Sequence, residues 1–277
     1  MKISVLIILS CSWVVAATCR AALSLSGVGV AATIDFDSTV VDVNNGSFMG
    51  AGFQPVPSAG QLDSDSWAIT GWSDGSLAFG GTQVSANTDY TRGGSAGGVT
   101  TGGIYGFDVD SSSGVNRAFG VQPGGSDWAP GTLTLKLQNN TGQILTALDL
   151  AYAVYIRNDQ PRANSFNFSY STDGTIFTSV PSLDLTSAAA ADTSPSFVIN
   201  NKATTISGLS LADNDFFYLR WSGADVSGSG SRDEFALDDI VVTGVTVPEP
   251  STWVAGALLA LPFGVHGVRY LRNRKRA

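Results

Sequence analysis

The run Thr132-Leu133-Thr134-Leu135-Lys136-Leu137 alternates apolar and polar residues without a break. Successive side chains of a strand point to opposite faces, so a period of two marks a strand with one buried and one wet face. The period returns in Phe166-Asn167-Phe168-Ser169-Tyr170, and the turn signals Asp74-Gly75, Asn140-Thr141-Gly142 and Asp173-Gly174 punctuate the chain. The acids are 21 Asp against 2 Glu, beside 32 Gly. Long helices favour Ala, Leu, Glu and Lys, so an all-helical chain is excluded. A hydrophobic fraction of 43% suffices for a core and excludes disorder.

The ends differ from the body. Lys2 precedes an apolar run from Ile3 to Ala17, then small residues around Cys19-Arg20-Ala21-Ala22. This is the layout of a secretory signal peptide over 1–22, cut after Ala21 or Ala22, with Ala17 the alternative. The run is shorter than the roughly 20 residues of a spanning helix. Cys11 and Cys19, the two cysteines, leave with it. Structural disulfides, thiolate catalysis and Cys-ligated zinc are thereby excluded from the body.

At the other end Val247-Pro248-Glu249-Pro250-Ser251-Thr252-Trp253 leads into an apolar stretch to Val268 and a tail rich in arginine from Arg269 to Ala277. Trp253 to Val268 makes a short span of about 24 Å as a helix, with the basic tail on the cytoplasmic side. An ordinary membrane anchor behind a Pro-rich linker would share these features. The order and spacing resemble the PEP-CTERM sorting signal of Gram-negative bacteria over 247–277. That resemblance implies an exosortase as partner, recognition through Pro248, Glu249 and Pro250, a transient inner-membrane anchor, and delivery to the cell surface or an exopolysaccharide-rich extracellular matrix.

The body, 23–246, holds 22 acids against 8 Lys or Arg, an excess of 14. Bulk charge therefore excludes nucleic acid and anionic membranes as partners. Strand signals cover Trp67–Phe79, Ile104–Val109, Arg117–Val121, Thr132–Leu137, Ile144–Ile156, Phe166–Tyr170, Thr175–Val180, Phe216–Trp221 and Phe235–Val245. Ser187–Asp192, with four alanines, reads as one short helix. The expectation is all-β: a single β-sandwich of 10 to 13 strands, a jelly roll. Arg232-Asp233-Glu234-Phe235-Ala236-Leu237-Asp238-Asp239-Ile240 resembles the last strand of jelly-roll adhesion and carbohydrate-binding-like domains, MAM-type domains among them.

The sole histidine, His266, lies in the C-terminal apolar stretch, so the body has no Ser-His-Asp arrangement and no His-ligated metal. No phosphate loop or dinucleotide fingerprint is present. Paired aspartates, as in glycoside hydrolysis, are the enzymatic option left, and no pair stands out. First and last strands lie side by side in a jelly roll, which would bring Asp35 and Asp37 to Asp238 and Asp239. Alternation lets one of the last two face the others, and the expected ligands of a structural calcium are Asp35, Asp37 and Asp239. Ordinary strand-end aspartates are the plainer reading. Trp67, Trp72, Trp128 and Trp221 could stack on sugars. Trp221 reads as core, and Trp128, in a Gly-Pro-rich loop, is the sugar-binding candidate, unless it caps the core. The leading expectation is a non-enzymatic surface or matrix protein. The alternatives are a carbohydrate-binding module holding exopolysaccharide and, third, a glycan-cleaving enzyme.

Overall fold

The computed structural model describes residues 22–110 and 115–246. The signal peptide apart from Ala22, and the sorting signal with Pro248, Glu249 and Pro250, lie outside the described residues. In chain order the strands are β1 (Leu23–Leu25), β2 (Ala31–Ile34), β3 (Asn44–Asn45), β4 (Phe53–Gln54), β5 (Gln61–Asp63), β6 (Trp67–Trp72), β7 (Gly75–Leu77), β8 (Gly94–Ser95), β9 (Gly103–Asp108) and β10 (Arg117–Gln122). There follow β11 (Gly131–Asn139), β12 (Leu145–Arg157), β13 (Arg162–Ser171), β14 (Thr178–Ser179), β15 (Leu185–Thr186), β16 (Phe197–Leu211), β17 (Phe216–Gly223), β18 (Asp225–Gly228) and β19 (Glu234–Val245).

Two sheets form a sandwich. The first runs β14-β13-β17-β11-β6-β7, the second β16-β12-β19-β10-β9-β8, and a small third sheet runs β3-β5-β4. From β10 onward the long strands β10, β11, β12, β13, β16, β17 and β19 fall alternately in the second and first sheets. The N-terminal segment is divided: β1 pairs in parallel with β11, and β2 pairs antiparallel with β19, Ile34 opposite Ile240. The strand that leads into Asp35 and Asp37 is thus the neighbour of the last strand, as expected, while the first strand, β1, lies in the other sheet.

Alternation builds the core. In β17 Phe217, Leu219 and Trp221 are buried, and in β11 Leu133, Leu135 and Leu137. They meet the inward side chains of the second sheet. Trp67 packs edge-on against Phe119 at 5.0 Å, and Tyr152 against Trp221 at 5.4 Å. Full burial of such a side chain contributes about 1.5–3 kcal/mol.

Two expectations need correction. Ser187–Asp192 is not helical; the described residues hold a single 3-10 turn, Pro181–Leu183, and the alanines lie in an exposed bend before β16. The longest strand, β16, gave no sequence signal. It is an edge strand, and much of both its faces is exposed, so it needs no apolar alternation.

Candidate functional site

The junction of β2 and β19 brings four aspartates together. Phe36 turns inward at φ 53° and is fully buried, so Asp35 and Asp37 on either side turn outward. In β19 a bulge sets Asp238 opposite Ala153 and Val241 opposite Ala151, leaving an extra residue at Asp239, whose φ is 48°. Asp238 is buried, its Oδ1 accepts from the Asp239 N–H at 2.8 Å, and its Oδ2 has no partner. Burial, then the charge of Asp239, pushes its carboxyl up to about 8. Asp37 is also pushed up, by burial and by Asp35 and Asp239, although the Arg117 N–H donates to it at 2.7 Å.

Burial would raise Asp35 too, but the Ser38 amide and hydroxyl and the Asp37 amide hold it below its ordinary value. Its oxygens cap a turn. The expected set of Asp35, Asp37 and Asp239 is thus in one neighbourhood, yet among the described residues no group of three or more acids is placed to hold a metal ion.

The sugar-binding expectation for Trp128 is corrected. Trp128 is fully buried, 5.6 Å from Trp72 and 6.4 Å from Phe166, and its backbone amide donates to the Gly71 carbonyl. It caps the core, and no sugar ring can reach it. Trp67 and Trp221 are likewise buried, and Trp72 is 6% exposed.

Half-buried aromatics occur on both sheets: Tyr155 and Phe197 pack on Tyr105 and Phe107 of the second sheet, and a larger set lies on the outer face of the first. The polar-phase positions of β17 are Phe216, Tyr218 and Arg220, all half-buried. Register places Tyr218 beside Lys136 of β11 and Ser171 of β13, and Arg220 beside Thr134 and Ser169. Phe79, just after β7, packs on Tyr218 at 6.0 Å. Lys136 Nζ sits over two rings, 4.8 Å from Phe79 and 5.1 Å from Phe216. The Arg220 guanidinium carbon lies 3.3 Å from the Phe177 ring centre, and its Nε donates to Thr134 Oγ1 at 3.0 Å. These are cation–π pairs. Burial and the charge of Asp173 raise the Tyr218 phenol above its ordinary value. Asp173 is held well below its ordinary value by the Ile176 and Thr175 amides and the Ser171 hydroxyl.

Thus a strip of four aromatics, two cations and flanking hydroxyls crosses β7, β11, β17 and the β13–β14 loop. Sequence reading gave Phe216–Trp221 as a strand with Trp221 in the core and missed this second face. The signal was present: every residue from Phe216 to Trp221 is apolar, aromatic or arginine, too rich for a strand with one wet face. The opposite side of the sandwich offers a shallow groove floored by Ala151, Ala203 and Val241, which provides no ring to stack on.

No family model matches the chain, and no curated protein does. Among solved structures it is similar to the K1 cleaved adhesin domain of Lys-gingipain from Porphyromonas gingivalis W83, with 12% identity over 79% of this chain and 100% of that one, TM-score 0.41. It is similar to the N-terminal cellulose-binding domain of Cellulomonas fimi β-1,4-glucanase C, with 14% identity over 66% and 91%, TM-score 0.29. A carbohydrate-binding module specific for non-crystalline cellulose, CBM28, shares 11% identity over 51% and 80%, TM-score 0.31. At these values the likeness carries no argument, and the sandwich stands on its own strand pairing.

Proposed function

We propose that the chain is a non-catalytic, carbohydrate-binding surface protein that holds a polysaccharide against the outer face of the first sheet. The observation that carries this is the strip of Phe79, Phe177, Phe216 and Tyr218 at half-buried positions of a wet face. A pyranose ring presents flat C–H surface with hydroxyls at its rim. Aromatic rings cover the first, while Thr70, Thr132 and Ser169 on the same face and the cations serve the second. A long, open sheet face suits a polymer better than a monosaccharide. The alternation of strands between sheets supports the jelly-roll reading of the sandwich.

Affinity electrophoresis of the purified protein through gels containing soluble polysaccharides tests the proposal. Retardation by at least one glycan, lost in Tyr218→Ala, is expected. Release of shortened glycan would instead favour the cleaving enzyme; Asp173, the acid beside Tyr218, has its carboxylate engaged by its own loop, which favours binding.

Export and sorting remain part of the proposal, on the sequence of the two ends. An exosortase would recognise Pro248-Glu249-Pro250 and remove the basic tail. Mass spectrometry of surface-exposed protein is then expected to find no peptide beyond about residue 253. Calcium at the β2–β19 junction is a separate proposal, and it requires Asp35 to leave its turn with Ser38.

A further inference from the structure

The body carries eight Lys or Arg among 22 acids, and the cations sort by partner: Arg117, Lys202 and Arg232 donate to the backbone carbonyls of Gly106, Asp184 and Gly125. Arg92 pairs with Asp89 at 2.7 Å, Arg157 with Asp159 at 3.2 Å and Glu234 at 3.4 Å, and Arg162 with Asp225. Lys136 and Arg220 have no carboxylate partner among the described residues. Both lie on the aromatic strip, on adjacent strands, where Thr134 is opposite Arg220 and Lys136 opposite Tyr218. They are therefore diagonal neighbours on one face, Arg220 half-buried and Lys136 7% exposed with its amine beside the Phe79 and Phe216 rings. The rings around them restrain both side chains without neutralising them. The two terminal nitrogens of Arg220 have no hydrogen-bond partner among the described residues, since its one bond runs from Nε to Thr134.

We infer that this face takes an acidic polysaccharide, with the carboxylate of a uronic acid seated between Lys136 and Arg220 while the ring stacks on Tyr218 and Phe79. Charge complementarity is local. The net negative body repels a polyanion at long range, and salt screens that repulsion. A charge-assisted pair formed at short range on a partly desolvated face outweighs it. This inference rests on the proposed glycan-binding face and narrows its ligand from sugars in general to sugar acids.

The test is affinity electrophoresis of the purified protein against polygalacturonate and against the same polymer with its carboxyls methyl-esterified. Chelator is present, so that no divalent ion bridges acid to acid. The acid form is expected to bind about tenfold tighter, the scale of one hydrogen bond to a charged group. Arg220→Gln and Lys136→Met should each remove that preference while binding of the ester persists, and Tyr218→Ala should remove binding of both. Melting curves identify any variant that loses its fold, and the two cation variants serve as independent checks. Equal binding of both forms, or preference for the ester, would overturn the inference and leave the glycan face standing. Binding of neither would also overturn the inference, while the glycan face itself falls only if no polysaccharide of the wider series retards the protein.

Discussion

Trp128 and Asp238 hold buried positions that a residue type alone does not announce. Trp128 fits because Gly131 and Gly223 stand against it: a Cβ on Gly223 would lie 1.6 Å from its Nε1. Gly223→Ala should therefore destabilise the protein by about 1–3 kcal/mol, and Trp128→Ala by about 3–5 kcal/mol, both read from denaturant unfolding. Neither should alter glycan affinity of the folded fraction. An unchanged midpoint for Gly223→Ala would contradict the packing. Burial and the charge of Asp239 raise the Asp238 carboxyl to about 8 in the fold, which favours its protonated form. Its folded pKa exceeds its unfolded value, so the folded state binds the extra proton between about pH 4 and 8. The stability it contributes is present in acid and is lost as pH rises through 8. Asp238→Asn should flatten that decline, measured as melting temperature against pH in chelator. If calcium instead raises melting at high pH, and Asp239→Ala abolishes the rise, the junction rearranges to hold a cation.

At the scale of the element, β17 carries both the core and the site. Its two faces differ by one residue of register: Phe217, Leu219 and Trp221 go in, and Phe216, Tyr218 and Arg220 go out. Tyr218→Ala and Phe79→Ala remove rings that are half-exposed, so each should lower glycan affinity at least tenfold while moving the melting temperature little. A loss of fold in both would mean that the strip is structural packing. The strands with strict alternation were legible in sequence, as were the pairing of β2 with β19 and the neighbourhood of Asp35, Asp37 and Asp239. The position of Trp128 was not, because its burial depends on glycines 3 and 95 residues away. Nor was the outward set, because apolar residues at both phases of a strand look like a strand buried on both faces. β16 was invisible for the opposite reason: an edge strand with solvent on both faces leaves no periodic trace.

The whole molecule is an acidic sandwich whose few cations are mostly paired or buried. Glu234 adds to the behaviour of Asp238. Burial raises it to about 7, against the Gly98 and Val99 amides that donate to it. Through Glu234 and Asp238 the folded state binds more protons than the unfolded state in neutral solution. Stability should fall from about pH 5 to pH 9, by up to about 1.4 kcal/mol per pH unit for each group while it titrates. Below about pH 4 the sign reverses, because Asp35 and Asp225 are lowered in the fold. Rising melting temperature from pH 5 to pH 9 would contradict these burials. The central claim, however, is the glycan face, and one titration tests it most directly. Purified protein is titrated with a soluble polysaccharide that retards it, beside Tyr218→Ala and Gly223→Ala at a temperature where all three are folded. Saturable binding by the parent protein and by Gly223→Ala, but not by Tyr218→Ala, is the result expected; undiminished binding by Tyr218→Ala would contradict the account.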